Sequence, residues 1–213
     1  MGEDLNSPSS VCSRYDDLMA LLDWMTDATG PVVEGAGVLL RPPRTGDYSA
    51  WADLREHSRD YLQPWEPSWP DDDLTKAAYR RRLGVYAREM ELGHAWPFFV
   101  FDAHGRTLMG AITLSNVRRG VAETGTLGYW IGQPFAGRGV ATAAVRAMAG
   151  FAFRSARLHR LEASCLPSNL ASRRVLEKSG FVKEGEARAY LKINGVWADH
   201  ILFGLVSDDV AVS

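Results

Sequence analysis

Apolar and polar positions along this chain fall into two rhythms, and the changes between them mark out its elements. Short apolar runs bounded by turn residues read as strands: VLLR from Val38, then 96–102, 107–117, 124–132, 158–166, 181–193 and 196–206. His104-Gly105 and Asn194-Gly195 supply the tight turns between neighbouring runs. Tyr79, Leu83, Tyr86 and Met90 recur at helical spacing, so a helix over 74–92 presents one apolar stripe. Other helices are predicted from Thr45 or Asp47, either of which can cap, through Ser58, and over 139–156. A last one runs over 169–179, where Gly180 supplies the left-handed residue that ends it. The stretch from Tyr61 to Asp73, YLQPWEPSWPDDD, is too rich in proline and tryptophan for regular structure.

The order is a strand, two helices, three strands, a helix, a strand, a helix and two strands. Strands interleaved with helices in this way predict an α/β (α+β) fold. Its sheet is central, mixed and mostly antiparallel, with about seven strands and helices on both faces. Residues 35–207 form the one domain and 208–213 a short tail. Residues 1–34 stand apart as an N-terminal extension. It is polar at first and then carries Leu18, Leu21, Leu22 and Met25 at the spacing of a short amphipathic helix.

Composition narrows the function classes. The chain has 213 residues and a formal net charge of −2, without the basic excess of a nucleic-acid binder. No apolar run is long enough to cross a bilayer, and the acidic start MGEDLNSPSS does not read as a secretory signal. The cysteines, Cys12 and Cys165, fit a reducing compartment, and the five histidines show no metal-ligand spacing. The expectation is a cytoplasmic, metal-free protein without nucleic-acid or membrane partners.

One junction offers chemistry. FAGRGVATAA, residues 135–144, runs two glycines and an arginine straight into an alanine-rich helix where a capping side chain is usual. Such an opening leaves the first amides bare at the positive end of the helix dipole, an arrangement that binds phosphate without a lysine. Gly137 and Gly139 remove side chains that would obstruct a phosphate oxygen, Arg138 adds charge and Thr142 a hydroxyl. The junction lacks the Gly-Lys-Ser/Thr ending of a Walker A loop and the third glycine of the dinucleotide fingerprint. Taken alone, GxG also fits a turn or packing role.

YWIGQPFAGRGVATAA, followed by SNLASRRVLEKSGF, resembles the GNAT superfamily of acetyl-CoA-dependent N-acetyltransferases. YLQPWEP, SNVRRG, LGYWIGQPFAGRG and YLKINGVWADHIL resemble its subfamily that acetylates the N-terminal alanine of a ribosomal protein. The resemblance implies acetyl-CoA as cosubstrate, its pyrophosphate on the amides of Gly137, Arg138, Gly139, Val140, Ala141 and Thr142. It further implies pantetheine along Tyr129, Trp130 and Ile131, with Asn169 hydrogen-bonding that arm. Ala136 departs from the Gln or Arg that the family often places three residues before its central glycine.

Acetyl transfer to an amine needs a neutral nucleophile, good placement and a proton for the departing thiolate. Glu162, on the strand before the second motif, and Glu123, before the strand of Tyr129, are the candidate bases; each also fits a solvated strand-end charge. Asp199 is a further carboxylate near the cleft. Backbone amides near Ile131 offer an oxyanion site. Where many family members carry an acidic tyrosine this chain has Leu176, and the resemblance to relatives that modify ribosomal proteins implies Ser172, one turn earlier, as the acid or as a group that orients a water or the sulfur. Trp65, Trp69 and Glu66 suit an acceptor pocket, the tryptophans serving equally as packing. The expected acceptor is a protein N-terminus, with a small-molecule amine or a non-catalytic acetyl-CoA-binding module as alternatives. The protein is expected to be a monomer or a homodimer.

Overall fold

The computed structural model describes residues 30–209. Its strands are β1 Val33–Gly35, β2 Val38–Arg41, β3 Trp96–Asp102, β4 Leu108–Arg118, β5 Thr124–Ile131, β6 Arg160–Cys165, β7 Val182–Ile193 and β8 Val196–Val206. Its helices are α1 Tyr48–His57, α2 Arg59–Leu62, α3 Lys76–Glu91, α4 Val140–Arg154 and α5 Leu170–Lys178. The strands form one sheet in the order β1-β2-β3-β4-β5-β6-β8-β7. Neighbours are antiparallel everywhere except between β5 and β6, which run parallel.

Alternation along β3 shows how the sheet fills both faces. Phe98 and Val100 point into the cluster built on Val145, Met148 and Phe151 of α4, and Phe98 meets Phe151 edge-on at 5.5 Å between ring centres. Phe99 and Phe101 point the other way, into a second cluster with Trp51 of α1 and Tyr79 and Leu83 of α3. Each such buried apolar side chain contributes about 1.5–3 kcal/mol, so both faces are firmly covered. α4 and α5 lie on one face, α1 and α3 on the other.

The expected fold class holds, with one strand more than the seven predicted. β1 is three residues long and pairs only with β2, Glu34 opposite Leu39. It begins at Val33, inside the segment set apart as an extension, and is too short to leave a periodic signal. The helix expected on Leu18, Leu21, Leu22 and Met25 lies outside the described residues.

Two local readings also change. The proline- and tryptophan-rich stretch is partly regular: α2 reaches Leu62, and Gln63–Trp65 form a 3₁₀ turn with Pro64 in its opening turn. Proline is tolerated there because the first turn has no intrahelical use for its missing N–H. Neither expected residue caps α1 with its side chain, for Thr45–Asp47 form a 3₁₀ turn of their own. The Asp47 carboxylate takes the Arg41 guanidinium instead, at 2.7 and 2.8 Å. Among the described residues no helix is long and apolar enough to cross a membrane.

Candidate active site

The parallel pairing of β5 with β6 is brief. It joins Thr124–Leu127 to Arg160–Ala163 and then stops, although both strands continue. From Gly128 to Ile131, β5 remains paired only with β4, so its other edge is left open. A cavity of about 1000 Å³ fills the gap, bordered by residues 127–131 of β5, residues 163–166, the start of α4 and much of α5. An open strand edge offers main-chain donors and acceptors to any extended ligand that lies along it.

The start of α4 borders the same cavity. Gly139 is its N-cap residue with φ +81°, and no side chain bonds to the first amides. Gly137 has φ +73°, and a methyl group built on either glycine meets no protein atom within 4 Å. These positions need glycine for the left-handed backbone, and the space beside them is open. Gly137, Gly139, Val140, Ala141 and Thr142 all border the cavity. Arg138 turns instead to an adjoining cavity of about 730 Å³, which it shares with Gly35, Arg146 and Lys178.

Opposite the open edge, Asn169 caps α5, its Oδ1 accepting the Ser172 amide at 3.0 Å. Ser172 Oγ lies 2.9 Å from the Tyr129 hydroxyl, a hydrogen bond from β5 to α5 across the cavity wall. Leu176, fully buried, belongs to the core. Burial lifts the Tyr129 phenol far above its ordinary range, against the pull of the Ser172 hydrogen bond, so the hydroxyl stays protonated at neutral pH. Cys165, on β6, reaches the same corner: burial raises its thiol pKa and the Ser172 hydroxyl opposes that shift. Sequence reasoning placed Ser172 and Tyr129 here in separate roles, missing their bond and the thiol beside it.

Another wall comes from the loop after α2. Trp65 and Glu66 border the cavity. The Glu66 carboxylate is already engaged: Arg55 of α1 donates two hydrogen bonds to it at 2.9 Å, and Trp69 Nε1 donates a third at 2.8 Å. Arg55 lies 3.9 Å from the Trp69 ring centre and 4.9 Å from that of Trp130 on β5. The main chain of Glu66 accepts the Asn194 amide at 3.0 Å, which pins the loop to the β7–β8 hairpin. Arg55 left no signal in sequence beyond sitting next to Leu54 on an amphipathic helix.

The remaining carboxylates lie elsewhere. Glu162 spans Arg118 and Arg160, each at 3.3 Å, and does not border the cavity. Glu123, exposed at the foot of β5 with φ +43°, accepts the His159 and Arg160 amides through its carbonyl. Asp199 accepts the Ala189 amide at 2.8 Å. His200, which the sequence reading passed over, does border the cavity from β8.

Comparison with known proteins agrees with this architecture. The chain is 35% identical over 178 residues to a Bacillus subtilis protein named Probable N-acetyltransferase YjcK, covering 84% of this chain and 98% of that one. It is 36% identical over 165 residues to the [Ribosomal protein uS5]-alanine N-acetyltransferase of Escherichia coli, covering 76% and 85%. Mycobacterium smegmatis RimJ, solved in complex with CoA-disulfide, superposes with a TM-score of 0.79 at 33% identity, covering 86% of this chain and 89% of that one. Residues 38–182 match the family described as Acetyltransferase (GNAT) domain. With the open strand edge and the uncapped helix start in one cavity, this chain belongs to the GNAT acetyltransferases and is an N-acetyltransferase enzyme.

Proposed function

We propose that this enzyme moves the acetyl group of acetyl-CoA directly to the α-amine of a protein N-terminus, with an N-terminal alanine on a ribosomal protein as its substrate. The observation that carries the reading is the continuity of one cavity. It runs from the bare start of α4, along the open edge of β5, to the wall formed by Trp65, Glu66 and the β7–β8 hairpin. The E. coli relative, named for an alanine of ribosomal protein uS5, supports the choice of acceptor.

The diphosphate sits on the main chain of Gly137–Thr142, where the dipole of a 15-residue helix favours negative charge. Pantetheine amides pair with the free edge at Tyr129–Ile131. The thioester then hangs beside Ser172 and Tyr129, and the amine arrives from the loop side. Holding the two reactants together supplies on the order of 7–11 kcal/mol of barrier reduction in the best intramolecular cases. Amides near Ile131 stabilise the tetrahedral oxyanion. Ser172, with the protonated Tyr129 behind it, donates a hydrogen bond to the departing sulfur. Asn169 offers its amide nitrogen to pantetheine, its oxygen being committed to the helix cap. Glu66, neutralised by Arg55, shapes the acceptor wall together with Trp65.

Release of thiol from acetyl-CoA, followed over a panel of peptides and small amines, tests this. Turnover is expected with Ala-starting peptides, and fragmentation mass spectrometry should map the acetyl group to the α-amine. Turnover confined to small amines, or to lysine side chains, overturns the reading.

A further inference from the structure

We propose that His200 is the general base that removes the proton from the incoming ammonium, an assignment that rests on the α-amine reading above. His200 is only 3% exposed, yet it borders the cavity between β5 and β6. Its Nδ1 lies 2.9 Å from the carbonyl oxygen of Ala198. A carbonyl can only accept, so Nδ1 carries the hydrogen and the neutral ring keeps its lone pair on Nε2. Among the described residues Nε2 has no hydrogen-bond partner, yet it is not sealed in as the unpaired Arg55 Nε is. It therefore opens onto accessible space, and the space bordering this residue is the cavity. The tautomer, the depth and the placement are those a base requires.

Placement within the sheet points the same way. Along β8, Ile201, Phe203 and Leu205 belong to the core beneath α4 and α5. His200 precedes Ile201, so it faces the opposite side, the side of α1 and the loop after α2 from which the acceptor arrives. Neither Glu162 nor Glu123 borders the cavity, whereas His200 does. The groups around the imidazole are few. Tyr190 of β7 packs against it at 5.8 Å between ring centres, and Cys165 stands beside Ile201 on β6. Lys192 of β7, Tyr61 of α2 and Glu66 of the loop after it border the same cavity, and Glu66 is held by Arg55. Asp199, on its own strand, is engaged with the Ala189 amide.

The step balances. Nε2 takes one proton from R–NH₃⁺, and the freed lone pair forms the C–N bond at the thioester carbonyl. The tetrahedral adduct collapses with loss of the C–S bond. The surplus proton on nitrogen passes to the thiolate through the Ser172 and Tyr129 hydroxyls. Products are the amide, CoA thiol and an imidazolium that returns its proton to water.

Steady-state kinetics of His200→Gln with an Ala-starting peptide tests the assignment. At neutral pH kcat/KM should fall about 10²–10⁴-fold, while acetyl-CoA affinity by calorimetry stays at the wild-type value. The deficit should shrink as pH rises past about 8, where an α-amine deprotonates unaided. A variant with undiminished kcat/KM, or a deficit constant across pH, overturns the proposal; the latter result marks a packing role. The wild-type protein gives an answer that depends on no variant folding. Its acid limb in kcat should stay in place when the peptide is exchanged for one with a less basic α-amine. A limb that follows the amine assigns deprotonation to solvent and removes His200. If instead no α-amine is acetylated while small amines are, the proposed acceptor falls and His200 falls with it.

Discussion

A serine hydroxyl is a weak acid, and Ser172 alone would be a poor partner for a departing thiolate. What changes its prospects is Tyr129, whose buried phenol stays protonated and lies 2.9 Å from Ser172 Oγ. Two hydroxyls in series can share a proton's position and stabilise charge at sulfur better than either alone. A hydrogen bond to a charged group contributes about 1.5–3 kcal/mol. Ser172→Ala and Tyr129→Phe should therefore each lower kcat about tenfold to a hundredfold, with acetyl-CoA affinity unchanged. The double variant should lose less than the product of the two effects, because both remove one shared bond. Equal turnover in Ser172→Ala and wild-type protein removes this pair from the mechanism. Ser172 was legible in the sequence through its place three residues after Asn169. The Tyr129 contact was not, since it joins residues 43 apart whose meeting depends on how α5 docks against β5.

At the scale of elements, the β5–α4 junction does most to fix the site, and it was also the most legible part. The glycines announced themselves because a helix without a capping side chain is unusual, and Gly139 does sit at the N-cap with a left-handed backbone. A Cβ added there has no protein atom within 4 Å, so substitution strains the backbone without a clash at Cβ. The strain is on the order of 1–2 kcal/mol, whereas an added side chain crowds the helix start to which the proposed function assigns the diphosphate. Gly139→Val should thus weaken acetyl-CoA tenfold or more by calorimetry and lower the melting temperature only by a few degrees. Unchanged affinity would place the diphosphate elsewhere. Elements held by few contacts escaped the sequence reading. β1 has three residues and one neighbour, and α2 is a single turn hidden among prolines and tryptophans. His200 escaped for another reason: a histidine within an apolar strand looks like core until the gap beside that strand is visible.

Across the whole molecule, the proposed function sets cofactor and acceptor on opposite sides of the sheet, with the gap between β5 and β6 as the passage between them. α4 and α5 cover one face, while α1 and the loop after α2 approach the other; transfer requires that both sides hold their positions at once. Arg55 is the link. Its guanidinium lies near Trp130, on the strand assigned to pantetheine, and grips Glu66 and stacks on Trp69, on the acceptor loop. The pair is largely enclosed, with side chains 9% and 19% exposed. Removing one partner of such a pair leaves a poorly compensated charge and costs about 3–5 kcal/mol. Arg55→Leu should lower the denaturant midpoint accordingly, and Glu66→Gln less, because an amide needs no cation beside it. The functional signature should differ from that of the junction. With the loop untied from the sheet, the acceptor KM should rise several-fold in Arg55→Leu while acetyl-CoA affinity holds, the reverse of Gly139→Val. Kinetics and calorimetry on the two variants in parallel separate the faces. If Arg55→Leu loses stability but keeps the wild-type acceptor KM, the tether serves the fold alone, and the acceptor wall must be organised by the hairpin contact between Glu66 and Asn194.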